Sequence, residues 1–300
     1  MSCRYDLSDG PWVGKRLERK ATGTYAAFET QFPKMSDWEP ELYNRFRHYR
    51  AEPVDLILAR LPISGDERIA DFGCGTGEHT IELARRAPRG KALGVDLSPA
   101  MIEAAQEARA SLARELRERV SFRVGDIATL DSECEFAIIF SNAALQWIPK
   151  HREVLARWLR ALLPGGRLVI QMPANDRETA KAALSDLARE EPWRALLSGI
   201  DESFREVPPP LKYRQMLGEI GFSEIDCYYH TFHHPMRSPA EVVEWYRATG
   251  LRPFVNALPE QRRSAFLDSY RERLERAYGT SGAVTFDFKR LFIWARRPAA

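Results

Sequence analysis

The chain has 300 residues, 44% of them apolar, which is enough to bury the hydrophobic core of one large domain or two modest ones. Lysine and arginine number 44 against 42 aspartates and glutamates, and a net charge of +2 argues against a nucleic acid as partner. No apolar stretch approaches the roughly 18 residues that cross a bilayer, so we expect a soluble cytoplasmic protein without a membrane partner.

The middle of the chain, from residue 67 to residue 173, alternates short apolar runs with longer helical patterns, which is typical of a parallel sheet wound with helices. The predicted strands are RIADFG (68–73), KALGVDLS (91–98), VSFRVGDI (120–127), FAIIFSNAA (136–144) and GRLVIQMP (166–173). The predicted helices are TIELARRA (80–87), PAMIEAAQEARASLARELRER (99–119) and HREVLARWLRALL (151–163). LLPGG (162–166) marks a helix end and a turn, because proline cannot continue a helix.

The rest of the chain is less regular. Residues 174–285 carry two or three helical stretches, a break at Pro208–Pro210, and the run EIDCYYHTFHHP (224–235), which predicts a strand. The run VTFDFKRLFIWARR (284–297) predicts a final strand that returns to the sheet. We therefore interpret the helical stretches as an insertion or lid. Residues 1–34 are polar and lack helical periodicity, and we expect a disordered arm or an upstream extension there.

Three glycines follow the first predicted strand in ADFGCGTGEHT. The pattern Asp71-x-Gly73-x-Gly75-x-Gly77 lets a ligand lie against backbone where any Cβ would collide with it. A dinucleotide site reads G-x-G-x-x-G, but Glu78 occupies the place of its third glycine. Because this carboxylate would repel a pyrophosphate, the loop favours a ligand with little or no anionic charge.

Two further acids close the next strands. Asp96 ends the second strand, where a carboxylate can accept both ribose hydroxyls of a nucleoside. Asp126 and Ile127 close the third strand, where the carboxylate can take an adenine amino group and a backbone N–H can meet a ring nitrogen. A nucleoside without phosphates indicates S-adenosylmethionine as the cofactor, whose positive charges would also explain the acids Asp71 and Glu78 at the loop.

These motifs, with LLPGGRLVIQMP, resemble the ordered motifs of class I S-adenosylmethionine-dependent methyltransferases over roughly residues 40–175. In addition, DWEPELYNRF, SNAALQWIPKH, QMPAN, ATGLRPF and RLFIWARR resemble trans-aconitate 2-methyltransferases, which esterify a carboxylate of a tricarboxylic acid. The resemblance implies an α/β fold with a Rossmann-like, doubly wound, mostly parallel seven-stranded sheet and a helical lid before the last strands. It implies an arm (1–34), a cofactor-binding core with an N-terminal cover helix (35–175), and lid helices with closing strands (176–300).

The cofactor site is expected at the carboxyl ends of the strands. The backbone carbonyl of Asn142, after the fourth strand, is placed to accept from the cofactor's ammonium group. The residues expected to bind S-adenosylmethionine are Asp71, Gly73, Gly75, Gly77, Asp96, Leu97, Met101, Asp126, Ile127 and Asn142.

A carboxylate acceptor is already ionised at pH 7, so no catalytic base is expected and the chemistry depends on proximity and orientation. A polycarboxylate does require cations, and arginine is favoured because its planar fork makes two bonds to a carboxylate. Arg252 in TGLRPF is the first candidate, and the resemblance also implies Arg50 and Arg290. The residues expected to contact the acceptor are Tyr43, Arg50, Gln146, Trp147, His234, Arg252 and Arg290.

No metal site is expected. His230, His233 and His234 lie on a predicted strand whose alternation would point neighbours to opposite faces, with no carboxylate or cysteine at ligand spacing. The four cysteines (Cys3, Cys74, Cys134 and Cys227) form no Cys-x-x-Cys pair, which favours reduced thiols over a disulfide framework or a zinc site.

Two departures from the family pattern leave the acceptor open. Phe232-His233-His234 stands where the family tends to have Tyr-Tyr-His, and Glu52 replaces a second arginine in RAEP, which could mean a smaller or differently charged acid. Another small molecule or a malonyl thioester is the near alternative. Two alternative functions come from other classes of protein. One is a dehydrogenase, against which Glu78 argues, and the other is a non-catalytic nucleotide-binding module.

Overall fold

A seven-stranded sheet in the order β3-β2-β1-β4-β5-β7-β6 organises the computed structural model, which describes residues 45–198, 200, 207–247 and 250–299. The first five strands are parallel, and β7 runs antiparallel between β5 and β6. The strands are β1 (Arg68–Phe72), β2 (Lys91–Asp96), β3 (Val120–Val124), β4 (Phe136–Asn142), β5 (Leu162–Pro173), β6 (Ser223–Met236) and β7 (Val284–Arg296). The predicted fold class is confirmed, and the final run does return to the sheet.

Helices cover both faces of the sheet. In chain order they are α1 (Arg47–Arg60), α2 (Glu78–Arg86), α3 (Pro99–Ala110), α4 (Arg114–Arg117), α5 (His151–Ala161), α6 (Thr179–Arg189), α7 (Trp193–Leu196), α8 (Pro210–Ile220), α9 (Pro239–Arg247), α10 (Arg252–Ala257) and α11 (Glu260–Tyr278). A 3₁₀ turn spans Leu145–Trp147. None of the helices within these ranges combines the length and apolarity required to traverse a bilayer.

Some boundaries differ from the prediction. The helix expected over 99–119 is interrupted between Ala110 and Arg114, and the segment 174–285 holds α6 to α11 rather than two or three helices. Several of these lid helices are too short for periodicity to reveal, and proline begins three of them, α8, α9 and α10, within their first two positions. β5 begins at Leu162, four residues before the predicted strand, although Gly165 keeps the left-handed φ of +74° that suits a turn.

The two faces of the sheet bury different clusters. On one, which we call the α1 face, Ile69, Phe140 and Phe292 pack with Ile57 of α1. On the other, Trp158 of α5 and Tyr213 of α8 pack against β-strand side chains such as Phe72 and Ile293. A third cluster joins the lid helices to the far ends of β6 and β7 through Trp245, Phe266 and Phe286.

The cysteines only partly follow the prediction. Cys74 and Cys227 are buried free thiols. Cys134 is disulfide-bonded, so the prediction of a reduced thiol is wrong at that position, which no Cys-x-x-Cys spacing marks in the sequence. Cys3 lies outside the described residues.

Candidate active site

The glycine loop joins β1 to α2, and its three glycines have left-handed φ angles of +81° (Gly73), +53° (Gly75) and +81° (Gly77). A Cβ on Gly73 would lie 2.1 Å from the Ala144 Cβ, and one on Gly77 would lie 2.3 Å from the Phe122 ring. Gly75 differs, because a Cβ there meets no protein atom within 4 Å. Two glycines are therefore required by the fold, and the third leaves bare backbone facing open space.

Asp96 ties the end of β2 to this loop. Its carboxylate accepts from the Gly75 N–H at 2.9 Å and from the Ser98 N–H at 2.9 Å. Leu97 and Met101 lie half-buried on either side of the start of α3, where the Ser98 side chain caps the helix. A half-buried carboxylate hydrogen-bonded to the backbone of the open glycine is suited to the hydroxyls of a ribose.

Asp71 is an acid buried behind the loop. It is 2% exposed, and its carboxylate accepts from the Thr80 hydroxyl at 2.6 Å. Burial raises the pKa of Asp71 to about 7, the nearby Asp96 adds to the shift, and the Thr80 hydrogen bond opposes it. Glu78 instead points outward and forms an ion pair with Arg47 of α1, so its charge is partnered away from the loop.

Two polar atoms near the loop are buried without a hydrogen-bond partner among the described residues. These are Oδ2 of Asp126 and Oδ1 of Asn142. The other Asp126 oxygen accepts from the Ala128 N–H at 2.8 Å, and the Ile127 carbonyl accepts from the Trp158 indole at 3.0 Å. The unsatisfied acceptors suit the amino group of an adenine and an ammonium group, and hence fit S-adenosylmethionine.

Asn142, Gln171 and Arg290 project from the α1 face of three neighbouring strands, and we call them the polar row. The β4–β5 register places Asn142 opposite Gln171, and alternation along β5 and β7 puts Arg290 on that face. Arg290 is 6% exposed and donates to Oε1 of Gln171 at 3.3 Å. The guanidinium lies 4.7 Å from the Phe288 ring centroid.

Gln171 was not among the predicted site residues. It is fully buried, and its Nε2 has no hydrogen-bond partner in the described part of the chain. A buried donor without a partner costs free energy, so a ligand acceptor at this point would be stabilised. The signal in the sequence was the single amide inside the apolar strand LVIQM.

His234 lies beyond the polar row on β6. Its ring is 1% exposed and packs against Tyr49 of α1 and Trp245 of α9, with centroids 4.5 and 5.4 Å away. Burial, together with the positive charge of Arg290, lowers the pKa of His234 to about 4, so the ring is neutral at pH 7. Its Nδ1 lies 3.8 Å from the Glu52 carboxylate, whose pKa burial raises.

The other predicted acceptor residues are more dispersed. Gln146 is buried and donates to the Ala143 carbonyl at 2.8 Å, while Trp147 is 36% exposed. The Arg50 guanidinium lies 4.9 Å from the Trp245 ring centroid, and Arg252 is half-buried at the first position of α10. Tyr43 lies outside the described residues.

The histidine triplet is split by strand alternation, as predicted. His234 is buried, whereas His233 is exposed and lies 2.6 Å from the Asp287 carboxylate. Over the described ranges, no three histidine, cysteine, aspartate or glutamate side chains are grouped so that they could hold a metal ion.

Known proteins are similar to this chain in sequence and in fold. Residues 63–211 match the family model described as a methyltransferase domain. The chain is 37% identical over 268 residues to the trans-aconitate 2-methyltransferase of Variovorax paradoxus, covering 88% of this chain and 100% of that enzyme. It is 37% identical over 269 residues to the trans-aconitate 2-methyltransferase of Escherichia coli, covering 88% of this chain and 99% of that enzyme.

A solved structure shares the fold at lower identity. The phosphoethanolamine N-methyltransferase 2 of Haemonchus contortus, in complex with S-adenosyl-L-methionine, superposes with a TM-score of 0.51 at 19% identity, covering 91% of this chain and 56% of that one. The two trans-aconitate 2-methyltransferases are each 37% identical to this chain over 88% of its length, which shows the family. The chain therefore belongs to the trans-aconitate 2-methyltransferase family and is an S-adenosylmethionine-dependent methyltransferase.

Proposed function

We propose that this enzyme esterifies one carboxylate of a small polycarboxylic acid in the cytoplasm, with trans-aconitate as the best candidate. The observation that carries the proposal is the polar row, in which a buried arginine and an amide donor lie at the same edge of the sheet as the glycine loop. The relatives that this chain matches over almost their whole length are trans-aconitate 2-methyltransferases, and this supports the same acceptor.

The residues around the loop match the chemical groups of the cofactor. The open side of Gly75 and the carboxylates of Asp96 and Asp126 would hold the nucleoside, and Asn142 would hold the ammonium end. When bound, S-adenosylmethionine supplies an electrophilic methyl group that an ionised carboxylate can accept without a base.

The acceptor is positioned by charge and by donors. Arg290 can hold one carboxylate through its planar fork, and Gln171 Nε2 offers a further donor beside it. Arg50, Arg252 and the residues of the 3₁₀ turn are proposed to contact the rest of the molecule. The aromatic side chains around His234 exclude water from this side, which strengthens each charge-assisted hydrogen bond.

The test is transfer of a labelled methyl group from S-adenosylmethionine to trans-aconitate, cis-aconitate, isocitrate, citrate and a malonyl thioester. We expect base-labile label on trans-aconitate, because a methyl ester is hydrolysed by alkali whereas an N-methyl group or an ether is not. Label that resists alkali, or label only on the thioester, contradicts the proposed acceptor.

Arg252→Ala and Arg290→Gln are compared in the same assay to identify which arginine binds the acceptor. If cofactor affinity is unchanged and only the KM for the acid rises, the altered arginine contacts the acceptor. If the wild type binds S-adenosylmethionine but methylates none of the acids, the family assignment stands and the substrate proposal is wrong.

A further inference from the structure

A cavity lies at the opposite end of the strands from the glycine loop. Its volume is about 160 Å³, and its walls include Arg60, Arg167, Glu224, Trp294 and Arg296. We call it the arginine cavity. The β5–β7 register pairs Arg167 with Arg296 here and Pro173 with Arg290 at the polar row. Six residues of strand separate the two places, roughly 20 Å, so this cavity is distinct from the candidate active site.

Positive charge predominates in the walls of the arginine cavity. Arg296 donates to Glu224 at 2.9 Å, and Arg60 donates to Asp226, just outside the cavity, at 2.8 Å. The side chain of Arg167 makes no hydrogen bond or ion pair within the described part of the chain. Three guanidinium groups therefore face one carboxylate in the lining, and one of the three is uncompensated.

The strand register makes this arrangement costly without a ligand. Arg167 and Arg296 are direct partners across the β5–β7 pair, and like charges directly opposite each other destabilise a sheet. An anion between them would replace this repulsion with charge-assisted hydrogen bonds, which are about twice as strong as neutral ones.

Trp294 gives a second, independent indication of a ligand. The side chain is 9% exposed, and its indole Nε1 has no hydrogen-bond partner among the described residues. Arg60 lies over the same ring, 4.5 Å from its centroid, so the indole and the guanidinium share one wall. Indole and guanidinium groups only donate hydrogen bonds, and their natural partner is an oxygen acceptor.

We propose that the arginine cavity binds a small oxyanion, a phosphate or a short polycarboxylate, separately from the methyl-transfer site. Arg167 and Arg296 hold its oxygens, Arg60 closes over it, and the Trp294 indole donates when the Arg60 side chain shifts. These groups do not suit a metal ion, because neither the three guanidinium groups nor the indole can act as a metal ligand.

The experiment titrates the full-length enzyme with inorganic phosphate and, in a second arm, with citrate. Sodium chloride at matched ionic strength controls for screening. Binding is measured by calorimetry and by the rise in melting temperature that accompanies binding to the native state. We expect saturable binding of at least one anion, and the arm that binds identifies the source of the oxyanion.

Arg167→Gln locates the site, and Arg262→Gln is its matched control, because Arg262 is an exposed arginine on α11 outside the cavity. We expect affinity roughly tenfold weaker in Arg167→Gln and unchanged in Arg262→Gln. Trp294→Phe keeps the ring and removes the N–H, and we expect a severalfold loss.

Three results overturn the proposal. Neither anion binds beyond the chloride control, or Arg167→Gln binds as tightly as the wild type, or Arg167→Gln loses methyl transfer together with anion binding. The last result would make the cavity part of the acceptor site. Because the readouts are binding and stability, the proposal can fail while the methyl ester assay succeeds, and the reverse also holds.

Discussion

Arg290 is the side chain on which the proposed acceptor site depends most. It is buried, bonded to Gln171 and placed over the Phe288 ring, so its position is fixed before any acceptor arrives. Burial raises the pKa of Glu52, while the charges of His48 and Arg290 oppose the shift. The acid is thus close enough to Arg290 to reduce the positive charge that an acceptor meets.

Replacing Arg290 with glutamine should lower kcat/KM for the acid roughly a hundredfold, because one bidentate charged contact is lost. Arg290→Lys should recover only part of this, since lysine keeps the charge but not the fork. Steady-state kinetics check the prediction, with Lys289→Gln as control because Lys289 points to the opposite face and pairs with Glu178. Equal kcat/KM for the Arg290 and Lys289 variants would contradict it.

Asp71 should make the fold less stable as pH rises. Its pKa is about 7 in the native state and near the ordinary value of 3.8 when unfolded, so between these values the native state retains a proton that the unfolded state has lost. Stability from this group therefore falls from pH 4 to pH 7. The unfolding free energy of Asp71→Asn, relative to that of the wild type, should rise by on the order of 2 kcal/mol from pH 5 to pH 7.5. Urea unfolding at the two pH values measures it. An identical difference at both pH values would refute the assignment.

His234 should make the fold less stable as pH falls, which is the opposite of the effect of Asp71. Its pKa is about 4 in the native state and 6.5 ordinarily, so between these values the unfolded state takes up a proton that the native state does not bind. Stability from this group is lost as pH falls from 6.5 to 4. His234→Phe should reduce the loss of unfolding free energy between pH 7 and pH 5, and the exposed His233→Gln should leave that loss as in wild type. A His234→Phe profile parallel to wild type would argue against it.

At the scale of single elements, different glycines of the loop serve folding and cofactor binding. Gly77→Ala would place its methyl group 2.3 Å from the Phe122 ring, and we expect a loss on the order of 3 kcal/mol in unfolding free energy. Gly75→Ala meets no protein atom, so we expect only about 1 kcal/mol from its left-handed φ, together with at least roughly tenfold weaker binding of S-adenosylhomocysteine.

Gly282→Ala is the matched control for Gly75→Ala, because Gly282 has a φ of +91°, meets no atom within 4 Å and lies outside the site. It should share the small stability loss and leave cofactor affinity unchanged. Thermal unfolding and calorimetry measure the two quantities. Normal cofactor affinity in Gly75→Ala would show that the open side of the loop is not where the cofactor lies.

The strands of the cofactor half could be predicted from the sequence, because apolar runs separated by glycine and proline define them locally. The glycine loop and Asp96 could also be predicted from the sequence, since the geometry of a βα turn depends on neighbouring residues. Gln171 was missed because its contact with Arg290 depends on the register between β5 and β7, which no local pattern specifies. The same register distinguishes the buried Arg290 from Arg252, which the sequence alone ranked first.

Across the whole molecule, α1 joins the sheet to the lid. Its Ile57 packs on the α1 face, while Tyr49 near its start packs against His234 and bonds the Pro235 carbonyl at 2.8 Å. β7 makes the complementary link, since its later residues pair with β5 and its first residues reach the lid cluster. The two halves of the proposed site therefore depend on both elements.

Removing residues 284–300 should prevent folding rather than produce a smaller active enzyme. β7 lies between β5 and β6, so its loss leaves both strands with unpaired edges, which favour aggregation. We expect an insoluble product, whereas a chain lacking only residues 299–300 should remain soluble. Expression followed by centrifugation and circular dichroism measures this, and a soluble, cooperatively unfolding protein lacking β7 would disprove it.

The position of β7 in the sheet also bears on synthesis at the ribosome. Pro173 pairs with Arg290, so more than a hundred further residues must be translated before the outer edge of β5 is covered. The glycine loop is translated long before that point, whereas Arg290, proposed to hold the acceptor, follows it by more than two hundred residues. A growing chain can thus acquire the cofactor loop first, and it gains the means to select an acid only after β7 has been translated and has joined the sheet.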